Sequence, residues 1–245
     1  MNLSLVLSQA RFDAKITVRN GEQLLLTLII PLALLLVLTL SSFIALDVPE
    51  GSSRVDVALS GVLAVAVLSS AFTSLAISVG FDRRSGALLL LATTPLTRTS
   101  ILAARSLATL VVVLVQTLLL CAVAGILGWR PGLSTALALV FVVMGALAFG
   151  ALGFALGGAL RAEATLAVAN GLFLVLLLAG GTVIPASALP GPIATVVGLL
   201  PSGALGDALR TLLASASGNL VWDATVLAIW GIIGAVTAAR TFRWD

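Results

Sequence analysis

The chain has no histidine, one cysteine, Cys121, and one lysine, Lys15. Without histidine or a second cysteine, the usual zinc sites, Ser/His/Asp triads and Cys/His pairs cannot be assembled. No disulfide framework can form within the chain either. A phosphate-binding GxxxxGK[ST] loop needs a lysine behind glycines, but Lys15 stands between Ala14 and Ile16, so the chain carries no ATPase motif of that kind. Catalysis within it is not expected, nor is any cofactor or metal site. Charge is scarce as well. Charged residues are 9% of the total and hydrophobic residues 60%, against about 25% charged in ordinary soluble domains. A chain of this kind belongs in a bilayer, and its net charge of +3 makes no nucleic-acid face, because the arginines are spread along it.

Uncharged stretches of about 20 residues, enough to cross about 30 Å of hydrocarbon, predict an all-α polytopic membrane protein forming a single transmembrane domain over 1–245. Six spans are expected, at approximately 23–46, 57–80, 101–127, 133–159, 164–182 and 220–239. Arg105 falls near the inner end of the third, where a long side chain can snorkel. The uncharged run from Ala164 to Gly206 is too long for one span and is broken by Pro185, Pro190, Pro192 and Pro201. Six spans with both termini inside put ten basic residues on the cytoplasmic side: Arg11, Lys15, Arg19, Arg83, Arg84, Arg98, Arg105, Arg161, Arg240 and Arg243. Arg54, Arg130 and Arg210 lie outside. That bias follows the positive-inside rule. A seventh crossing would put Arg240 and Arg243 outside, so the segment 185–217 is read as re-entrant, a gate or vestibule on the outer side. An ordinary outer loop with a short interfacial helix is the plainer alternative.

The first residues, 1–21, have no basic lead-in or cleavage site of a signal peptide. At 100° per residue Ser4, Ser8, Arg11, Lys15 and Arg19 form a polar stripe, and Leu3, Val6, Leu7, Ala10, Ala14 and Val18 an apolar one that Asp13 interrupts. This reads as an interfacial helix meeting anionic cytoplasmic lipids, or as a tail that merely satisfies the charge bias. Ion-coupled transport would call for carboxylates at mid-membrane. Glu22, Asp47, Asp56, Asp82, Glu163 and Asp223 instead flank the spans, and Asp207 sits in the broken outer segment. Among the polar residues within spans are Thr39, Ser41, Ser69, Ser70, Thr73, Ser74, Gln116 and Asn170. They line a pathway or bond to neighbouring helices and their own i−4 carbonyls. The Gly153/Gly157 spacing allows close helix approach without naming the partner helix, and Pro31 predicts a kink in the first span.

The stretch FDRRSGALLLLATTPLTRTSILAAR, Phe81 to Arg105, is unusual for a loop. Ala87 to Ala92 reads as a short apolar helix ended by Thr94 and Pro95. Too short to cross the membrane, it lies on the lipid interface or docks into a protein partner.

Three segments together resemble the membrane subunits of ABC transporters of the ABC-2 type (type V exporter-like), among them drug-resistance and lipid or polysaccharide export permeases. They are FDRRSGALLLLATTPLTR, LRAEATLAVANGLFLVLLLAGGTVIPASALP, and LLPSGALGDALR before the last span. The resemblance covers essentially the whole chain. It implies a dimer with a second permease copy, homologous or identical, an N-terminal interfacial helix, a cytoplasmic coupling helix within the loop 81–100, and re-entrant outer helices before span six. It also implies a separate nucleotide-binding ATPase subunit in two copies, which would hold the ATP and Mg. Carried onto this chain, the coupling role falls on Asp82, Arg83, Arg84, Ser85, Gly86, Ala87, Leu88, Leu89, Leu90 and Leu91. The family commonly has a charge within the leucine pair, whereas Leu88 to Leu91 are uninterrupted here, so the docking surface is expected to be more apolar or partly sunk in lipid. Family transport paths run along the dimer interface between spans one, two and five, which offers Pro31, Ser70, Thr73, Ser74 and Asn170. The expected function is an exporter of a hydrophobic or amphipathic molecule (a drug, lipid or glycolipid) in a bacterial cell membrane. A haem-export-type permease and a non-transporting scaffold or immunity protein are the alternatives.

Overall fold

The computed structural model describes residues 3–19, 21, 25–41, 46–87, 90, 97–182 and 190–241. Within them the regular structure is helical. Helix α1 is Leu3–Arg19, and α2 is Ile30–Leu40, preceded by a π-helical turn at Leu25–Ile29. Helix α3 runs Arg54–Arg84, α4 Arg98–Ile126, α5 Ser134–Ala159 and α6 Ala162–Leu178. The short helices α7, Gly191–Gly198, and α8, Pro201–Leu213, precede α9, Leu220–Thr241.

Four of these helices, α3, α4, α5 and α9, are long and apolar enough to cross a membrane, and α7 with α8 would make a fifth if that bent pair counts as one span. The two members of the pair meet at 92°. The bend falls where Leu200, extended, leads into Pro201, which cannot donate a helical N–H and so starts a new helix. The apolar helices α2 and α6 are shorter, and residues 185–189 of the predicted outer segment lie outside the described residues.

Helix α3 is the hub. Among the four long helices its apolar window is the most enclosed, 78% buried against 22% for α9. It starts where the Asp56 carboxylate accepts the Ser53 backbone N–H at 2.7 Å, satisfying a donor that the first turn leaves unpaired. Midway, Leu68–Ser74 winds as π-helix, a wider turn common at functional sites. The core forms where α3, α5 and α8 meet, with Leu59, Leu63, Phe149, Leu205 and Leu209 fully buried and the Phe72 and Phe149 rings 6.5 Å apart. The close approach allowed by Gly153 and Gly157 is made within the chain, by α5 onto α3. A Cβ on Gly153 would sit 2.9 Å from the Phe72 carbonyl oxygen, and one on Gly157 2.5 Å from that of Ala76. Only glycine lets the two backbones touch there.

Helix α1 buries Val6 and Ala10 against Ala104 of α4, while Leu3, Leu7, Phe12 and Ile16 remain exposed. Pro31 lies within the continuous apolar helix Thr27–Leu40, just after the π-turn at Leu25–Ile29, where the winding changes from π to α.

Candidate functional site

The end of α3 that leads into the loop at 81–100 carries a cluster of charged side chains. Helix α3 closes with Ser85 N–H donating to the Phe81 carbonyl at 2.9 Å and Gly86 N–H to that of Arg83 at 3.1 Å. Gly86 has φ +73°, the left-handed conformation that ends helices. From this end Asp82, Arg83 and Arg84 point three ways. Asp82 pairs with Arg105 of α4 at 2.6 Å, so Arg105 is anchored to α3 rather than snorkelling alone. One Arg83 nitrogen donates to the carbonyls of Gly158 at 2.9 Å and Leu160 at 3.0 Å, with a weaker contact to Gly157 at 3.3 Å. A cation on the last carbonyls of α5 satisfies groups the helix leaves open and complements its dipole. Arg84 forms an ion pair with Glu163 of α6, both side chains largely exposed.

Ala87 and Leu90 are helical and Leu90 is exposed. Leu88, Leu89 and Leu91, which carry most of the expected coupling helix, lie outside the described residues.

Of the residues offered for a transport path, Ser70 lies in the π-turn of α3 and donates to the Gln116 side-chain oxygen of α4 at 2.8 Å. Gln116 in turn donates to the backbone carbonyl of Thr27, in the other π-turn. One side chain therefore ties together three segments at the point where two helices depart from α-geometry. Thr73 is buried, and Ser74 lines the cavity described next. Asn170 is exposed on α6 and donates to the Leu166 carbonyl of its own helix at 2.9 Å. The structure thus brings Ser70 and Ser74 to one wall and leaves Pro31 and Asn170 elsewhere.

Between α1, the Thr27 π-turn, α3 and α4 is a cavity of about 450 Å³. Ser70, Ser74, Ser78 and Asp82, spaced four residues apart, run down its α3 wall, and Arg105 and Thr109 face them from α4. Asp13 reaches it from α1, accepting from the Gln9 amide at 2.8 Å through one oxygen. The other oxygen is buried and has no hydrogen-bond partner among the described residues. Burial pushes the Asp13 carboxyl above its ordinary pKa, opposed by nearby Arg105. Asp13 and Arg105 were not singled out together from sequence. The signal was an acid breaking the apolar arc of α1, which only the packing against α4 turns into part of a cavity. Among the described residues no three carboxylate or thiol groups cluster as metal ligands.

At the other end of α3, Arg210 of α8 is buried. It donates to the Gly181 carbonyl at 2.6 Å and that of Thr182 at 3.2 Å, and pairs with Asp207 at 2.6 Å. Ser52 donates to the Ala214 carbonyl at 2.7 Å and ties α8 to the start of α3.

A bundle of long apolar helices, with a bent helix pair at one end and a polar cavity toward the other, defines a multi-pass membrane protein. A family model described as ABC-2 family transporter protein matches residues 42–240. The chain belongs to that family and is a membrane transport component. No curated protein matches it.

Proposed function

We propose that the chain is the permease subunit of an ATP-driven exporter, moving a hydrophobic or amphipathic molecule across the cytoplasmic membrane with energy from a separate ATPase. The observation that carries this reading is the family match over 42–240, which takes in both the charged loop 81–100 and the bent pair before α9. Two ATPase copies beneath a pair of permeases, six spans and both termini in the cytoplasm complete the proposal. Basic residues concentrated at the loop end of α3 support that orientation.

Within the loop, the coupling role is assigned to Asp82 through Leu91. Arg83 is committed to the end of α5 and Asp82 to Arg105, while Arg84, in its surface pair with Glu163, and Leu90 are exposed, so the partner-facing surface is assigned to them together with the neighbouring leucines of the sequence. A Leu89→Asp change would place a charge in an apolar docking face, a cost of several kcal/mol if it is buried unpaired. The expected result is normal insertion with loss of the ATPase from pull-downs and of ATP-dependent export from inside-out vesicles. A variant that inserts, keeps its ATPase and exports at the parental rate overturns the coupling assignment. ATP hydrolysis by the purified chain alone would overturn the division of labour, and the absence of any co-purifying ATPase would favour a scaffold.

A further inference from the structure

The cavity between α1 and α4 combines features that select a ligand. Its volume of about 450 Å³ falls within the range that takes a drug-sized molecule. Phe12 and Ile16, both exposed on α1, stand at its rim, and Leu75 and Val112 face its interior. Opposite these apolar surfaces lies the serine ladder of α3.

Charge decides the rest. Arg105 and Asp82 neutralise each other at 2.6 Å. Arg105 lies near Asp13 as well but is ion-paired with Asp82, so the described lining holds two acids to one cation, and the second Asp13 oxygen is buried without a donor. A buried acceptor in this condition is costly until a donor reaches it. An anionic head would meet two carboxylates and one guanidinium, so a phosphate-bearing lipid is disfavoured. A neutral apolar molecule would leave the Asp13 oxygen unsatisfied. A protonated amine on an apolar body supplies the missing donor and charge together.

From this arrangement we infer that the cavity is a binding site for lipophilic amines, formed within a single chain by α1, α3 and α4, with Asp13 as the anchor for the ammonium group. Phe12 and Ile16 give access for a molecule already partitioned into the lipid surface, and the serines of α3 take any further polar groups. The inference goes beyond the transport reading and does not rest on it, because it concerns binding by one chain and holds whether or not export follows.

The test is equilibrium binding of radiolabelled dodecylamine, cationic at neutral pH, to the full chain in phosphatidylcholine nanodiscs, with empty nanodiscs as background and dodecanoate and dodecanol as probes of equal chain length. The expected result is saturable binding of dodecylamine near one per chain, with dodecanoate and dodecanol at least tenfold weaker. Asp13→Asn keeps the shape and removes the charge, and lowers dodecylamine affinity at least tenfold. Thr109→Trp fills the cavity from α4 and lowers it comparably, each variant being checked as folded by size-exclusion chromatography. Glu163→Gln, which removes an exposed acid outside the cavity, leaves binding unchanged. Absence of saturable binding, equal binding of dodecanoate or dodecanol, parental affinity in Asp13→Asn or Thr109→Trp, or an equal loss in Glu163→Gln each overturns the inference.

Discussion

Two aspartate–arginine pairs sit at opposite ends of α3 and look alike. Arg105–Asp82 and Arg210–Asp207 are both 2.6 Å apart, with arginine side chains 12% and 11% exposed and aspartates 30% and 28%. Their surroundings differ. Arg210 places further N–H groups on the Gly181 and Thr182 carbonyls and so binds α8 to the segment after α6. The Nε of Arg105 is buried with no hydrogen-bond partner among the described residues, and its pair faces a cavity. The same ion pair is a structural staple where packing completes its hydrogen bonds, and part of a candidate site where packing stops short. Distance and burial alone do not separate the two. The complement of remaining donors and acceptors does.

The largest effect that would test this contrast is at the saturated end. Arg210→Met strands two carbonyls and a partly buried aspartate, and an unfolding loss of about 3 kcal/mol is expected. It would be read as a lower thermal midpoint of the purified protein. Arg105→Met, lacking those backbone acceptors, is expected to cost less than half as much. Equal losses would erase the distinction between staple and site.

Gly157→Ala comes next. A Cβ placed 2.5 Å from the Ala76 carbonyl oxygen forces α5 away from α3, and overpacking of this kind costs about 1–3 kcal/mol. Gly171→Ala, where nothing lies within 4 Å, is the matched control and should be neutral or slightly stabilising through helix propensity.

A smaller effect concerns pH. Because burial raises the Asp13 pKa in the folded chain, the protonated form is the one folding favours. The associated stability is fully present below the ordinary pKa of 3.8 and is lost as pH rises through the raised folded value. Asp13→Asn should therefore melt slightly higher than the parent at neutral pH, with the gap closing as pH falls toward 3.8. A gap that widens on acidification would contradict the burial argument.

The smallest effect is expected at Arg84→Lys. Its pair with Glu163 is largely exposed, with side chains 60% and 66% accessible, and such pairs contribute between 0 and about 1 kcal/mol. Stability should barely change, so a loss of ATPase association in this variant would report docking rather than folding.

Several features could be read directly from residues. Apolar runs long enough to span a membrane are sums over many positions, so single errors do not matter, and the family resemblance rested on segments that the matched residues include. The broken segment was legible because Pro201 cannot continue a helix, and the 92° bend falls there. Other features resisted. Pro31 was expected to kink a span, and the π-turn at Leu25–Ile29 that directly precedes it within the helix Thr27–Leu40 was not anticipated. Ser70 and Asn170 were equal candidates on composition, yet Ser70 reaches Gln116 across a helix interface and Asn170 faces outward. Neither π-turn announces itself in sequence, because an extra residue in a turn has no residue type of its own.

By itself, then, the sequence determined the solvent the protein lives in, its helical class, its family, and the chemistry it lacks, since these follow from composition and from spacing within continuous segments. Tertiary structure alone decided which side chains act together. Gly153 and Gly157 were marked for close contact from their spacing, but only packing chose α3 as the partner. Asp13 found its place beside Arg105, more than ninety residues away in the chain, and Arg210 reached the Gly181 carbonyl across 29 residues. Such pairings depend on the rotation of each helix about its own axis. That rotation is set by the shapes of all its neighbours at once, and no local pattern encodes it.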